Sequence, residues 1–243
     1  MARIAYDEGD AAAFEANRHL PGEGLSAWRE AIGRHLDPRP GQRLLDLGSG
    51  TGSWARVFTE WFPGVEVLAV EPSPAMRARS VYLPVVAGDA ARVPVTDGVL
   101  DAVWMSTVIH HVPDLTAAAH ELRRVVRPGA PVLIRSVFAG RHDGISLVRY
   151  FPDVATVLDT YPGVERVEAA FAAAGFRAVA LERVAQTTAA SLPEAVRALR
   201  RDAHTPLKLI SDEAYEAGLV RLREAAATAT GPVVDAVDLL VLR

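Results

Sequence analysis

A glycine-rich segment near the start of the sequence has the residue types that hold a nucleoside. It runs from Asp46 to Gly52, DLGSGTG, between an apolar run and a helical pattern. Glycines at a strand-to-helix turn let the backbone approach a ligand closely, and the first N–H groups of the helix can bind it. The spacing is G-x-G-x-G, whereas dinucleotide-binding turns have G-x-G-x-x-G. Asp46 would repel a pyrophosphate but attract an ammonium or a sulfonium group.

Two further acids follow the next two apolar runs. Glu71 lies 21 residues beyond Gly50, where a carboxylate can accept both hydroxyls of a ribose, although this distance suits NAD equally. Asp89 follows the third run and suits an adenine amino group, which NAD binding does not explain. Taken singly, either acid could be a turn or helix-cap residue. Three acids that end three successive strands indicate a binding edge instead.

Two adjacent histidines, His110 and His111, follow the fourth apolar run and are the only ionisable side chains of residues 105–112. The carboxyl ends of strands in an open α/β sheet are where substrates bind. A histidine with a pKa near ~6.5 can act as a general base at neutral pH, so both are candidate catalytic residues. Neighbours on a tight turn point in different directions, so we expect at most one of them to reach the acceptor. We favour His110, because Val112-Pro113 begins the next helix and would hold His111 against backbone. The alternative is that these side chains orient the backbone or fill space.

Seven short apolar runs alternate with amphipathic segments, a pattern typical of a parallel sheet with helices on both faces. They predict strands at residues 43–47, 65–70, 85–87, 100–105, 132–138, 178–184 and 233–242. Helices are predicted at residues 11–20, 25–36, 53–62, 115–126, 192–201 and 212–227. The fold class is therefore α/β, and the glycine turn, the acids and the histidines share the carboxyl edge of the sheet.

The chain divides into three zones. Residues 1–41 form an N-terminal helical arm that ends at a Pro/Gly breaker, and residues 42–243 form the ligand-binding domain. Two inserts, residues 139–175 and 186–231, interrupt the alternation of strands and helices. We expect the inserts and the arm to form a substrate lid that orders when ligands bind.

The composition excludes several classes of function. The 243 residues include no cysteine, which excludes disulfides, thiolate metal sites and cysteine nucleophiles, and no metal site is predicted. Lys208 is the only lysine, so Schiff-base and Walker-type chemistry are not expected. A net charge of −4 without a basic run disfavours nucleic acid. No apolar stretch approaches the ~20 residues of a membrane helix. We expect a soluble cytoplasmic monomer or homodimer that binds a small molecule.

The motifs taken together resemble the class I S-adenosylmethionine-dependent methyltransferases, in particular the small-molecule branch known as methyltransferase type 11 or ubiquinone-biosynthesis-like. The matching segments are LLDLGSGTG at residues 44–52, VEPS at 70–73, GDA at 88–90, LDAV at 100–103 and RPG at 127–129. They span residues 42–138. The resemblance implies a Rossmann-like, seven-stranded, mostly parallel sheet of order 3-2-1-4-5-7-6 whose seventh strand is antiparallel. It implies S-adenosyl-L-methionine as cofactor and S-adenosyl-L-homocysteine as its product.

The resemblance also implies roles for individual residues. The methionine part of the cofactor would lie against Gly48, Ser49 and Gly50 with Asp46 beneath, Glu71 would hold the ribose, and Asp89 and Ala90 would contact the adenine. The complete set of predicted cofactor-binding residues is Asp46, Gly48, Ser49, Gly50, Glu71, Pro72, Met76, Asp89, Ala90, Ser106 and Arg18. Met76 packing on the adenine and Met76 as a core residue stay open alternatives.

Aromatic residues of the arm and the inserts are the candidates for binding the acceptor. They are Tyr6, Phe14, Phe138, Tyr150, Phe151 and Tyr161. An apolar pocket over the cofactor suits an organic acceptor and keeps water out. The alternative is that these rings anchor the inserts to the sheet.

The predicted function is transfer of a methyl group from S-adenosylmethionine to a small metabolite, in bacterial specialised biosynthesis. The segment after the fourth strand lacks the Asn/Asp-Pro-Pro-Tyr/Phe motif of enzymes that methylate DNA bases or glutamine, which argues against those substrates. Three alternatives remain: a non-catalytic S-adenosylmethionine-binding subunit, a cyclase on the same fold, and an NAD(P)-dependent reductase. The reductase explains the glycine turn and Glu71 but not Asp46 or Asp89.

Overall fold

The computed structural model describes residues 22–243 and contains seven strands in one sheet. They are β1 (Arg43–Leu47), β2 (Glu66–Val70), β3 (Val85–Val86), β4 (Ala102–Ser106), β5 (Val132–Ser136), β6 (Ala178–Ala189) and β7 (Val233–Leu242). Their order is β3-β2-β1-β4-β5-β7-β6. Strands β1 to β5 are parallel, and β7 is antiparallel to both β5 and β6. The predicted fold class and strand order are confirmed.

Ten helices surround this sheet in the described part of the chain. They are α1 (Ser26–Leu36), α2 (Ser53–Trp61), α3 (Pro74–Ala78), α4 (Leu115–Val125), α5 (Ser146–Tyr150), α6 (Asp153–Leu158), α7 (Val164–Ala173), α8 (Leu192–Ala198), α9 (Thr205–Lys208) and α10 (Asp212–Ala226). No helix within residues 22–243 is long and apolar enough to cross a membrane.

Helices α4 and α7 cover one face of the sheet. Helix α4 begins at Asp114, whose carboxylate accepts a hydrogen bond of 2.9 Å from the backbone N–H of Ala117. The helix then buries one apolar stripe, namely Leu115, Ala118, Ala119, Leu122 and Val125. The stripe packs against Val103 and Met105 of β4, so the two layers hold the end of that strand in place.

Helices α1 and α2 cover the opposite face. Trp28 of α1 is fully buried, and its ring centroid lies 6.1 Å from that of Trp104 on β4 in an edge-on contact. Trp54 of α2 lies against both rings. The described part of the predicted arm is therefore part of the main core rather than a lid, because burying Trp28 removes a large apolar surface from water.

Strand β6 is longer than predicted, which moves the start of the second insert beyond residue 186. Gln186, Thr187 and Ala189 still belong to β6, and Thr187 pairs with Val234 of β7. Strand β6 lies at the edge of the sheet, where solvent-facing positions need no apolar side chain. The apolar run therefore ends before the backbone pairing does.

The two inserts contribute a cap with its own apolar core. The cap comprises residues 146–161, with α5 and α6, and residues 192–226, with α8, α9 and α10. Its buried side chains are Phe151, Val154, Leu158, Tyr161, Leu192, Leu207, Ile210 and Leu222. Helix α7 lies in the first insert as well, but it packs on the sheet against α4.

An ion pair between the partly exposed Arg141 and the buried Asp238 fixes the chain where it enters the cap. Arg141 donates through Nε and Nη2 to the two carboxylate oxygens of Asp238, at 2.7 and 3.0 Å. Asp238 lies on β7 and is 2% exposed. This bidentate geometry is specific as well as strong, so it holds the cap at one position above the sheet edge.

Candidate functional site

A cavity of about 690 Å³ lies between the carboxyl ends of the parallel strands and the cap. One half of its wall comes from the loops after β1, β2 and β3, namely Leu47, Gly48, Gly50, Glu71, Pro72, Ser73, Pro74, Met76, Asp89, Ala90 and Ala91. The other half comes from the loop after β4 and from the cap, and includes His110, His111, Leu147, Val154, Leu158, Tyr161, His204 and Lys208. The volume falls in the range of about 300–1,000 Å³ that small-molecule sites occupy.

The glycine turn after β1 requires glycine at several positions. Gly48, Gly50 and Gly52 have φ values of 70°, 56° and 77°, in the left-handed region that favours glycine. A Cβ atom at Gly48 would also lie 2.5 Å from Cγ2 of Val108. The backbone N–H of Gly48 donates to the carbonyl of Val70 at 2.8 Å, which ties the turn to β2. Backbone atoms of the turn therefore form the cavity wall itself.

Glu71 braces this turn from the end of β2. Its Oε2 accepts a hydrogen bond of 2.9 Å from the backbone N–H of Gly50, and its Oε1 accepts one of 2.8 Å from Ser73. The side chain is 6% exposed, and this burial raises the pKa of Glu71 above its ordinary value, while the backbone N–H groups of Ser73 and Gly50 lower it. Each carboxylate oxygen has a second lone pair, so Glu71 can brace the turn and still accept from a ligand.

Asp46 lies behind the glycine turn rather than in the cavity wall. It is 1% exposed, and among the described residues its Oδ2 has no hydrogen-bond partner. Burial raises the pKa of Asp46 to about 7, the backbone N–H of Ala55 opposes the rise, and the nearby charge of Glu71 adds to it. A cationic group bound at the turn would stabilise the ionised form of this carboxyl.

The far end of the same half-cavity is formed by the residues predicted to meet an adenine. Met76, Asp89, Ala90 and Pro72 all line the wall, and Met76 is 2% exposed. Asp89 is exposed, and its Oδ1 accepts a hydrogen bond of 2.8 Å from the backbone N–H of Ala91. The structure thus brings Glu71 and Asp89 into one cavity wall that also contains the apolar side chain of Met76.

The loop after β4 turns sharply and places both histidines in the wall. Thr107 has a φ of 55°, which is uncommon for a residue that is not glycine, and it lies beside Ser106 in the wall. Such strain is found at functional sites, where surrounding structure holds it. The ring centroids of His110 and His111 lie 4.1 Å apart. Both histidines therefore line the cavity on the side that includes the cap.

Several predicted site residues lie elsewhere. Phe138 and Phe151 are fully buried in hydrophobic clusters, and neither they nor Tyr150 line the cavity, so the prediction that these three rings bind the acceptor is corrected to an anchoring role. Large apolar rings are most stable where they lose all contact with water. Ser49 is likewise absent from the cavity wall. Tyr6, Phe14 and Arg18 lie outside the described residues.

Of the candidate aromatic residues that the structure describes, Tyr161 lines the cavity. His204 and Lys208 also reach the wall from the cap, but they were not among the predicted site residues. Both lie in segments without a recognised motif, so the local sequence did not indicate their position. Only the cap fold brings them opposite the histidines of β4.

Arg135, which was also not predicted, lies just behind the wall. It is 6% exposed and donates to the hydroxyl of Ser106 at 3.2 Å and to Gln186 at 2.6 Å. Its guanidinium carbon lies 5.0 Å from the centroid of the Trp28 ring. Arg135 therefore links Ser106 in the wall to the edge strand and to α1.

Comparison with known sequences places this site in a methyltransferase domain. Residues 45–134 match a family described as a methyltransferase domain, which includes the glycine turn, Glu71, Asp89 and both histidines. Demethylmenaquinone methyltransferase of Beutenbergia cavernae is 39% identical over 111 residues, which are 44% of this chain and 45% of the relative. The chain thus spans about half the length of the curated relatives it matches.

Solved structures share the fold over most of the chain. One is an Anabaena variabilis protein described as a methyltransferase from an antibiotic biosynthesis pathway, with a TM-score of 0.68 and 20% identity, covering 89% of this chain and 96% of that one. Another is Haemonchus contortus phosphoethanolamine N-methyltransferase 2 in complex with S-adenosyl-L-methionine, with a TM-score of 0.60 and 22% identity, covering 99% of this chain and 57% of that one. Together, the matched domain, the relatives and the shared fold confirm the predicted resemblance to the class I S-adenosylmethionine-dependent methyltransferases.

Proposed function

We propose that the chain transfers a methyl group from S-adenosylmethionine to a small organic acceptor. The observation that carries this proposal is one continuous cavity that has the glycine turn with Glu71 and Asp89 at one end and the two histidines with the cap at the other. A donor and an acceptor can therefore lie side by side in it.

The residues at the first end fit S-adenosylmethionine. The backbone of Gly48 and Gly50 gives close access without a β-carbon, and Asp46 supplies a buried carboxylate oxygen without a partner among the described residues. The carboxylate suits a ligand with positive charge on sulfur and nitrogen. Glu71 would hold the ribose hydroxyls, and Asp89 would accept from the adenine amino group.

When bound, S-adenosylmethionine supplies a methyl group activated by a positively charged sulfur. The chain contributes proximity, because the cavity walls hold the acceptor beside that end and limit its orientation. His110 is the proposed general base for an acceptor that must lose a proton. The cap serves as a lid that keeps water away from the reacting atoms.

The acceptor we propose is a largely apolar metabolite of specialised biosynthesis. Leu147, Val154 and Leu158 give the acceptor half an apolar side, while His204 and Lys208 give it polar groups. The descriptions of the Anabaena variabilis structure and of the demethylmenaquinone relative support an organic acceptor of this size.

The test is to incubate the protein with methyl-labelled S-adenosylmethionine and small-molecule extracts from bacteria that make specialised metabolites. Mass spectrometry is expected to show one labelled product and an equal amount of S-adenosylhomocysteine, both lost in the Glu71→Ala variant. Tight binding of S-adenosylmethionine without any turnover would instead identify a non-catalytic binding subunit. A product without added methyl mass would identify a cyclase, and binding of NADH would identify a reductase.

A further inference from the structure

His110 and Tyr161 form a parallel ring stack across the acceptor half of the cavity. Their ring centroids lie 4.0 Å apart and their planes differ by 1°. Both rings line the cavity, and Tyr161 is 8% exposed. Among the ring contacts of the described residues, this stack joins the loop after β4 directly to the cap.

Each partner of the stack has a firmly held backbone. His110 lies in the turn Ile109–His111, where Ile109 is 1% exposed and the N–H of His111 donates to Val108 at 2.8 Å. Tyr161 follows α6, and its N–H donates to the carbonyl of Leu158 at 3.0 Å. The stack therefore forms between two fixed points.

The direction in which the nitrogens of His110 point depends on the rotation of its ring. The χ2 torsion of histidine is broad and has no strong intrinsic preference. Tyr161 covers one face of the imidazole, and the ring of His111 lies 4.1 Å away at an angle of 47°. A base must point a nitrogen lone pair at the proton it removes, so the orientation of this ring decides whether His110 can act.

We infer that Tyr161 is a positioning residue, which fixes the imidazole plane of His110 and so makes the base competent only when the cap is in place. This inference rests on the proposed function and on the role of His110 in it. The phenol hydroxyl is not needed for stacking, whereas the flat ring is.

The first test detects the stack of Tyr161 on His110 directly and needs no acceptor. In protein labelled with ¹³C at histidine Cε1, the His110 signal is identified by its loss in His110→Ala. We expect it at high field because of the Tyr161 ring current, unchanged in Tyr161→Phe and displaced towards the free-histidine position in Tyr161→Leu. Tyr215→Leu is the matched control, since Tyr215 stacks on Phe151 inside the cap and does not line the cavity. An unchanged His110 signal in Tyr161→Leu would overturn the inference.

The second test is a double-mutant cycle on methyl transfer. Tyr161→Leu is expected to lower kcat about tenfold or more with little change in the affinity for S-adenosylmethionine, because a misplacement of about 1 Å can cost 10²-fold. Tyr161→Phe is expected to retain kcat. In a His110→Ala background the Tyr161→Leu change should have no further effect on kcat. Full additivity, or an effect on KM alone, contradicts the inference. A wild-type protein without turnover refutes the proposed function, while the magnetic resonance comparison still decides whether Tyr161 stacks on His110.

Discussion

The carboxylate of Glu71 accepts a hydrogen bond of 2.9 Å from the backbone N–H of Gly50, at the turn where β1 passes into α2. Glu71 therefore supports the cavity wall as well as facing the cavity. A second bond, from Ser73, holds its other oxygen. Removing this side chain would change both the turn and the proposed ribose site.

The first prediction follows from this double role. Glu71→Ala is expected to weaken S-adenosylmethionine binding by about 2–3 kcal/mol, since hydrogen bonds to a charged group contribute ~1.5–3 kcal/mol each. It should also lower the melting temperature of the free protein, because two backbone donors lose their acceptor. Calorimetric titration and thermal unfolding measure the two effects. Unchanged affinity in a folded variant would refute the ribose role of Glu71.

The second prediction concerns the close approach at the glycine turn. Gly48→Ala adds left-handed strain and a Cβ atom 2.5 Å from Val108, whereas Gly98→Ala, at a φ of 63° with nothing within 4 Å, adds strain only. Strain of this kind costs about 1–2 kcal/mol per residue, and overpacking adds about 1–3 kcal/mol. Urea unfolding should show the larger loss for Gly48→Ala, and only that variant should lose cofactor affinity. Equal behaviour of the two variants would contradict this account of the turn.

The third prediction concerns pH. Burial raises the pKa of Asp46 to about 7 in the folded protein, against about 3.9 in an unfolded chain. The folded state binds this proton more tightly, so the free energy of unfolding contributed by Asp46 is greatest below pH ~4 and falls as the pH rises towards ~7. Asp46→Asn removes that loss, and at pH 8 the ligand-free variant should be more stable than the wild type by about 2–4 kcal/mol. Urea unfolding at pH 5 and pH 8 checks this; parallel pH profiles for the two proteins would rule it out.

The fourth prediction separates the two histidines. His110→Ala is expected to lower kcat about 10²-fold or more with nearly unchanged cofactor affinity, the range that general acid–base catalysis supplies. His111→Ala should have a smaller effect on kcat, because the Tyr161 ring stacks on His110. Steady-state kinetics and calorimetry measure these quantities. If both alanine variants turn over at nearly the wild-type rate, no base is used and proximity alone carries the reaction.

The fifth prediction concerns the cap. A Cβ atom at Gly218 of α10 would lie 2.0 Å from the ring of Phe151, whereas one at Gly33 of α1 would meet only Phe62 at 3.9 Å. Gly218→Ala should destabilise the cap by about 1–3 kcal/mol and raise hydrogen exchange in residues 146–161 and 192–226. Gly33→Ala should be neutral or stabilising by up to about 1 kcal/mol, since alanine favours helix. Unchanged exchange in the cap of Gly218→Ala would show that this contact does not hold it together.

The sequence by itself predicted the sheet, the strand order expected from the resemblance and the shared cavity wall of Gly48, Glu71 and Asp89. Strand bounds at β1 and β7 agree with the apolar runs, because strands that are mostly buried need mostly apolar side chains. Glycine spacing and acids at strand ends are local features, and parallel strands bring their carboxyl ends to one edge whatever else the chain does. The sequence alone could therefore place Gly48, Glu71 and Asp89 at the same edge of the sheet.

Only the tertiary structure decided which residues line the cavity on the side of the cap. Phe138, Phe151 and Tyr161 are all aromatic residues, but the first two lie in the core and Tyr161 lines the cavity. Lys208 lies in a segment without a motif and also lines the cavity. The stack of Tyr161 on His110 joins positions 51 residues apart through the packing of the cap. No local sequence pattern predicts this contact, because it depends on how α6 and α9 pack over the edge of the sheet. The hydrogen bond from Gly50 to Glu71 could not be predicted from the sequence either. Every residue except proline has a backbone N–H, so the residue type does not indicate which N–H groups a side chain will bind.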